Sequence, residues 1–393
     1  MAQRACGSHD YQQHQLRSDP SWRDRMNAME ELMREGQSLR GTQSLIRIPV
    51  VVHILYHYPS QKIPDSRVHE QIAALNRDFR RRATDTSRTP AYFRQFAADC
   101  EIEFQLATSD PTMRSTTGIV KKYSPVLQWG MDDRMKFSSE MGSDAWDPGS
   151  YLNIWICDLK GLAGYSSMPG GPKEKDGIVM DFEAFGTTGV TAGYDMGRTL
   201  VHEVGHWLGL KHLWGDTDCG DDGVSDTPQQ SFYTVGCPSG IRVTCNNGPY
   251  GNMYMNFMDF TADACMNLFT VGQKQRMRSL FSAGGPRASL LHSRGLNPPL
   301  IAEAPLPDED PRWLQPRLYP NPANEEIFLD LSYDPRWIGK PVTIANLSGQ
   351  VQVQIVLSGK IQRISVKNLP AGIYMLNAQK EDGAVIQFRV VKL

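Results

Sequence analysis

The run 46–58, IRIPVVVHILYHY, is apolar and β-branched with few polar breaks, which predicts a buried strand. His53 and His57 fall on one face of it and read as sheet-packed polar groups. Between 64 and 82 the period lengthens: Val68, Ile72, Leu75 and Phe79 recur at three-to-four spacing, the stripe of an amphipathic helix. Segment 102–106 alternates like a half-exposed strand, and 151–159 reads as a central one. Segments 162–165 and 177–180 are two short strands around a turn. A helix over the sequence TLVHEVGHWLGLKH follows, and 271–281 closes the region with another. This order predicts an α/β fold of α+β type, a twisted mixed sheet backed by helices.

Both ends of the chain differ from this middle. Trp22, Met26, Met29 and Met33 form one apolar stripe along a charged helix over 21–36, set apart from the sheet region. Residues 295–316 are rich in proline and read as an extended linker. Beyond them the period drops to two in six short segments between 327 and 391, the pattern of a small all-β sandwich. It carries no metal cluster and no acid–base pair, so catalysis is expected elsewhere. The expected domains are 1–42, 43–294, the linker 295–316, and 317–393.

The chemistry concentrates in the helix at 199–212. His202 and His206 lie four apart and leave the same helical face, while Leu200, Val201, Val204 and Leu208 supply the buried one. Gly209 can take positive φ and turn the chain so that His212 joins them. Three neutral imidazoles with an open fourth position are the ligand set of a catalytic zinc. Glu203 sits beside the first histidine, where it can act as general base without binding the metal. A chance HExxH in a helix is the competing reading, but the added glycine and third histidine at fixed spacing weigh against it.

At 393 residues the chain is long enough for two or three domains. Lys+Arg 41 against Asp+Glu 43 leaves no basic field for nucleic acid, and no apolar run is long enough to span a membrane. Four of seven cysteines, Cys219, Cys237, Cys245 and Cys265, crowd behind the histidine motif, as in a stapled loop of an oxidising compartment. They lack the CxxC pairs of a second zinc site. Cys157 reads as a plain core thiol, and Cys100 is unassigned. The polar N-terminus shows no signal peptide, so the expectation is that a leader precedes the natural chain.

Two further segments carry possible ligands. Five aspartates among glycines in 215–228 would repel one another beside an active site unless a hard cation neutralised them, and Ca²⁺ takes such oxygens. A solvated acidic loop is the alternative, and the EF-hand spacing does not fit. Near the N-terminus, Cys6 precedes Gly7; its thiolate could fill the open zinc position and keep the enzyme latent, or be only an exposed thiol.

The zinc motif, the loop after it and the segment Asn256-Phe257-Met258-Asp259-Phe260 together resemble the pappalysin family of metzincin peptidases, over about 46–281. The resemblance implies disulfides Cys219–Cys245 and Cys237–Cys265 stapling the specificity loop, and a methionine turn at Met258 beneath the zinc. It implies calcium at Asp222, the Ser225 carbonyl and Thr227, and latency through Cys6. It also places Asp263 in the S1′ pocket, where a buried carboxylate would select arginine, then lysine, after the scissile bond. One position departs: where the family carries an oxyanion-binding tyrosine there is Phe260, so that donor is lost or Tyr254 replaces it.

The C-terminal segment is similar to type IX secretion sorting domains, through Leu318-Tyr319-Pro320-Asn321-Pro322, Asn346-Leu347-Ser348-Gly349 and Leu369-Pro370-Ala371-Gly372. An adhesive sandwich is the alternative. The combined expectation is a secreted, monomeric zinc endopeptidase made as a zymogen. Its expected partners are protein or peptide substrates and the type IX machinery. Leu39–Arg40 and the bond before Arg47 are its candidate self-cleavage sites. Two rivals remain: a calcium-stabilised binding protein that retains a metal site, and a zinc hydrolase of non-peptide bonds.

Overall fold

The computed structural model describes residues 6–19, 21–36, 45–302, 304, 314–380 and 385–393. The chain divides into two compact units, Met1–Leu55 with Ile63–Pro307, and Tyr56–Lys62 with Asp308–Leu393. The expected self-cleavage bond at Leu39–Arg40 lies outside the described residues, whereas Arg47 is exposed within a strand.

The first unit is built on six strands: β1 (Ile46–Tyr56), β2 (Ile102–Leu106), β3 (Ile119–Tyr123), β4 (Leu152–Cys157), β5 (Gly164–Ser166) and β6 (Ile178–Asp181). Their order is β2-β1-β4-β6-β5, with β3 also pairing β1. All of β1 except Arg47 is buried, which suits a strand covered on both faces inside a parallel sheet. It runs parallel to β2 and β4, and β4 runs parallel to β6. Strand β5 reverses, pairing antiparallel with β6 at the end of the sheet.

The strand ends at Tyr56, so His57 falls outside it; its backbone N–H donates to Gln61. His53 stays inside, stacked on Trp155 with its ring nitrogens 3.0 Å from Ser143 Oγ and 3.1 Å from Asn153 Oδ1. Burial pushes its pKa down to about 4, which keeps it neutral, a core residue and not a ligand.

Among the described residues five helices accompany the sheet: α1 (Ser8–Ser18), α2 (Ser21–Gly36), α3 (Asp65–Phe79), α4 (Arg198–Trp207) and α5 (Val271–Ser279). The core between them takes in Val68, Leu75 and Phe79 of α3 with Leu200, Val201 and Val204 of α4. Helix α1 has no apolar stripe to announce it. It docks through polar contacts, with Tyr11 Oη donating to Asp133 at 2.8 Å and Gln15 Nε2 at 3.1 Å. Asp133 also pairs with the buried Lys136 at 2.9 Å.

The proline-rich stretch is not free at its start. Thr108 N donates to Gly295 O and Ser115 N to Ile301 O, both at 2.8 Å, so its first residues are part of the first unit.

The described residues of the second unit form seven strands: β7 (Arg317–Tyr319), β8 (Glu326–Asp330), β9 (Pro341–Asn346), β10 (Val351–Val356), β11 (Ile361–Ser365), β12 (Gly372–Gln379) and β13 (Val385–Lys392). They form two antiparallel sheets, β10-β9-β12-β13 and β11-β8-β7. Ile327 and Leu329 of one sheet share a core with Ile344 and Leu376 of the other, closing a sandwich around Trp337.

One polar cluster ties the first turn of α4 to the rest of the first unit. Arg198 is fully buried; it pairs with Asp78 at 3.1 Å and Asp85 at 2.6 Å, and its guanidinium donates to the Asp263 carbonyl at 2.6 Å. Removing one side of a buried pair leaves uncompensated charge, so Arg198→Ala should cost about 3–5 kcal/mol of stability. Urea unfolding of the variant beside wild type measures this.

Candidate metal centre

Helix α4 holds His202 and His206 on one face, one turn apart. The helix stops because Gly209 adopts φ +82, and the turn brings His212 back to the pair. The Nε2 atoms of His202 and His212 each lie 3.1 Å from Nε2 of His206. The Nδ1 atoms face other acceptors: Phe257 O at 2.7 Å for His202, Leu210 O at 2.8 Å for His206, and Asp216 Oδ1 for His212. Each Nδ1 therefore carries the proton, and three Nε2 lone pairs point at one place. Burial, and then the neighbouring His212, push His206 down to about 3, which keeps it neutral at neutral pH. Lone pairs at this separation repel unless a cation sits between them. The donor set fits Zn²⁺.

Below the ligands, Met258 is fully buried, and a Cβ placed on Gly205 would lie only 2.5 Å from its sulfur. The sulfur thus packs on the helix backbone between the two histidines. Asn256 fixes the turn, its Oδ1 accepting from Met258 N at 2.9 Å, and it is itself held by Gln273 of α5 at 2.8 Å.

The N-terminal segment lies directly over this centre. Cys6 Sγ joins the three imidazole nitrogens in a group whose atoms all lie within 4.8 Å of one another. Cys6 bridges to Gly164 in parallel sense, and Gly7 N donates to Gly164 O at 2.9 Å, so the segment extends the β5 edge. Ser8 was not foreseen. Its hydroxyl donates to Glu203 Oε2 at 2.7 Å and accepts from Ser166 N at 2.9 Å. His9 reaches Asp216 at 3.2 Å, the carboxylate that also supports His212. Burial alone would raise Asp216, yet hydrogen bonds from His212 and His9 hold it well below the usual carboxylate range. Further along, Glu30 of α2 grips Arg276 of α5 at 2.8 and 2.6 Å, and Arg276 Nε donates to Gly209 O at 2.8 Å.

The loop behind the motif is closed by Cys219–Cys245 and Cys237–Cys265. Cys100 and Cys157 are buried thiols. Asp259, also unforeseen, holds the loop to the methionine turn by accepting from Thr234 N at 2.6 Å and Gln230 Nε2 at 3.0 Å. Asp263 is fully buried beside the start of α4, where its Oδ2 accepts from Met196 N at 2.9 Å and Arg198 N at 3.1 Å. Phe260 packs 4.9 Å from His212 and 5.6 Å from His202 between ring centroids. Tyr254 packs at the edge of the main core; the tyrosine ring beside Phe260 is Tyr233, at 5.1 Å.

Asp222, Ser225 and Thr227 lie on the acidic segment. The Thr227 hydroxyl is 2.9 Å from each Asp222 oxygen and 2.8 Å from Val224 O. Asp222 is buried while Ser225 is exposed, and the carbonyl brought to the Thr227 hydroxyl is that of Val224.

A peptidase profile described as pregnancy-associated plasma protein-A matches residues 136–282, and a secretion-system C-terminal sorting domain matches 317–392. An extracellular metalloprotease of Arthroderma benhamiae is 31% identical over 247 residues, 61% of this chain and 78% of that protein. Among solved structures, Tannerella forsythia promirolysin is 41% identical, covers 74% of this chain and 97% of its own, and superposes with TM-score 0.69. Mature mirolysin from the same organism, bound to a cleaved peptide, is 44% identical over 64% of this chain and 97% of its own, with TM-score 0.62. The chain belongs to the pappalysin family of metzincins. This pappalysin is therefore a secreted zinc metallopeptidase, and its C-terminal unit is a type IX secretion sorting domain. No helix among the described residues is long and apolar enough to cross a membrane.

The contact between Gly205 and Met258 sets a limit on this centre. Gly205→Ala forces the sulfur or the helix to move, which should lower stability by about 1–3 kcal/mol. Weaker zinc retention should accompany it, read as metal content after dialysis against a chelator.

Proposed function

We propose that this pappalysin is an endopeptidase that cuts on the N-terminal side of arginine, and of lysine less well, and is held latent by its own N-terminal segment. The convergence of three Nε2 atoms beside an unliganded Glu203 carries the catalytic part of this reading. Zinc held by His202, His206 and His212 would supply Lewis acidity, acidifying a water and polarising the scissile carbonyl. Glu203 then takes the water proton and delivers it to the leaving amine. In the latent state that carboxylate instead accepts from Ser8, while Cys6 fills the open ligand position. Both contacts must break before turnover.

Selectivity for arginine rests on Asp263. Two backbone N–H groups fix one of its oxygens at the start of α4, which orients the carboxylate. A planar guanidinium matches such a fixed anion better than an ammonium does. Phe260 offers no hydroxyl to the developing oxyanion, so that stabilisation falls to other donors.

Two experiments test the catalytic reading together. Glu203→Ala should keep its zinc yet lose about 10²-fold or more in peptide hydrolysis. On a mixed peptide library the processed wild type should cut before arginine; scattered cleavage without basic preference would remove the role given to Asp263.

Calcium is part of the same proposal, at Asp222, Thr227 and the Ser225 carbonyl, with the Val224 carbonyl beside them. The Thr227 hydroxyl has one proton for both Asp222 oxygens and the Val224 carbonyl, and Val224 N adds one donor to Asp222, so the cluster is richer in oxygen lone pairs than in donors. Burial pushes Asp222 up to about 7. A carboxyl raised on folding penalises the folded state as pH climbs through that value, and a bound cation relieves the penalty. Added calcium should therefore raise the unfolding temperature at pH 8 and do progressively less as the pH falls below about 7. An unfolding temperature indifferent to calcium at pH 8 refutes this site.

A further inference from the structure

The contacts that seat α2 on the rest of the first unit are not those of the metal centre. Trp22, 1% exposed, packs against Gly171, and Met29 packs against Gly170, whose carbonyl accepts from Arg25 Nε at 3.1 Å. Met33 is buried in the main core with Leu208 and Leu280, and its sulfur lies 2.7 Å from where a Cβ on Gly209 would stand. Between the two methionines Glu30 meets Arg276 at 2.8 and 2.6 Å and Lys211 at 3.5 Å. Arg276 is buried and held from behind by the Gly209 carbonyl. None of these partners is a zinc ligand or Glu203.

A buried tryptophan and a two-point arginine–carboxylate pair are the residue types that carry most of the affinity of protein interfaces. Every anchor precedes residue 37. A cut in 37–44, the stretch that holds the expected self-cleavage bond, therefore removes a tether and leaves all of these contacts as they were. The tether supplies only local concentration, roughly millimolar for a short linker, whereas the contacts supply the affinity. Helix α1 is carried along, because Trp22 N donates to Asp19 O at 3.1 Å and Arg25 pairs with Asp19 at 2.6 Å. With α1 go Cys6 beside the imidazoles and Ser8 on Glu203.

We infer that the groove formed by Gly170, Gly171, the Gly209 turn and Arg276 is a docking site for an amphipathic helix that carries one carboxylate between apolar anchors. Its occupant after processing is the cleaved 21–36 segment, which stays on as a noncovalent inhibitor. Cutting the chain and switching on the enzyme are then two separate steps, the second being dissociation or destruction of α2. This deepens the latency proposed above and rests on it.

The test uses the full chain with Glu203→Gln, which cannot digest itself and keeps an acceptor for Ser8. A recognition sequence placed in 37–44 lets an unrelated protease make the single cut. On gel filtration at about 1 μM the piece ending near residue 36 should elute with the remainder. Glu30→Gln and Trp22→Ala should each raise its dissociation constant by about thirtyfold or more, while Cys6→Ala leaves the piece bound. A piece held equally by the Glu30→Gln and Trp22→Ala chains, or released by Cys6→Ala, overturns the groove. With Glu203 intact, hydrolysis of a short peptide should lag behind the cut and rise on dilution. Hydrolysis that appears in step with the cut overturns the inference but leaves latency standing, because the uncut chain is inactive. An uncut chain that already works at the full rate overturns the latency reading instead.

Discussion

Three imidazole lone pairs converge here, with two of the Nε2 atoms 3.1 Å from the third, and they repel one another unless a cation sits between them. Much of the first unit serves to enforce it. The Phe257 and Leu210 carbonyls and the Asp216 carboxylate each take one Nδ1 proton, which leaves the opposite nitrogens no choice of tautomer. The methionine turn holds one of those carbonyls, the Gly209 turn sets another, and α5 buttresses both through Asn256–Gln273 and Arg276–Gly209. Arg198 then locks the helix to α3 and to the backbone of Asp263. Affinity for the metal is thus distributed over contacts far outside the motif that names it.

Latency uses the same contacts in reverse. The N-terminal segment does more than cover the cleft: its polar groups meet those of the centre. Cys6 Sγ lies beside the three imidazole nitrogens, Ser8 on Glu203, Gly7 on the rim strand, and His9 on the carboxylate behind His212. Helices α1 and α2 hold these contacts in place through Asp133 and Arg276, groups of the first unit with no part in the chemistry.

The histidine motif was legible because its spacing alone puts two rings on one face and its glycine can adopt the positive φ of the turn that returns His212. Strands β1, β4 and β6 were legible from their apolar runs. What escaped the sequence shares one property, that its signal is polar and long-range. Helix α1 docks through Tyr11 and Gln15 and shows no stripe. Ser8, Asp216 and Asp259 act on residues distant in sequence or on a ligand's far nitrogen, and no periodicity marks them. Strand β3 is half-buried throughout and lacks an apolar run. For Asp263 the position could be read, but not that two amides at the head of α4 already bind one of its oxygens. Proline content reports stiffness and not attachment, so it could not show that Gly295 and Ile301 accept from Thr108 and Ser115.

The two disulfides interleave, since Cys237 lies inside the segment closed by Cys219–Cys245 and its partner Cys265 lies outside. Neither loop can swing away while the other stays shut, so the wall running from Asp218 to Asp263 behaves as one crossed brace. A chain still in a reducing cytoplasm has neither crossing. The brace therefore forms only where the four thiols can be oxidised.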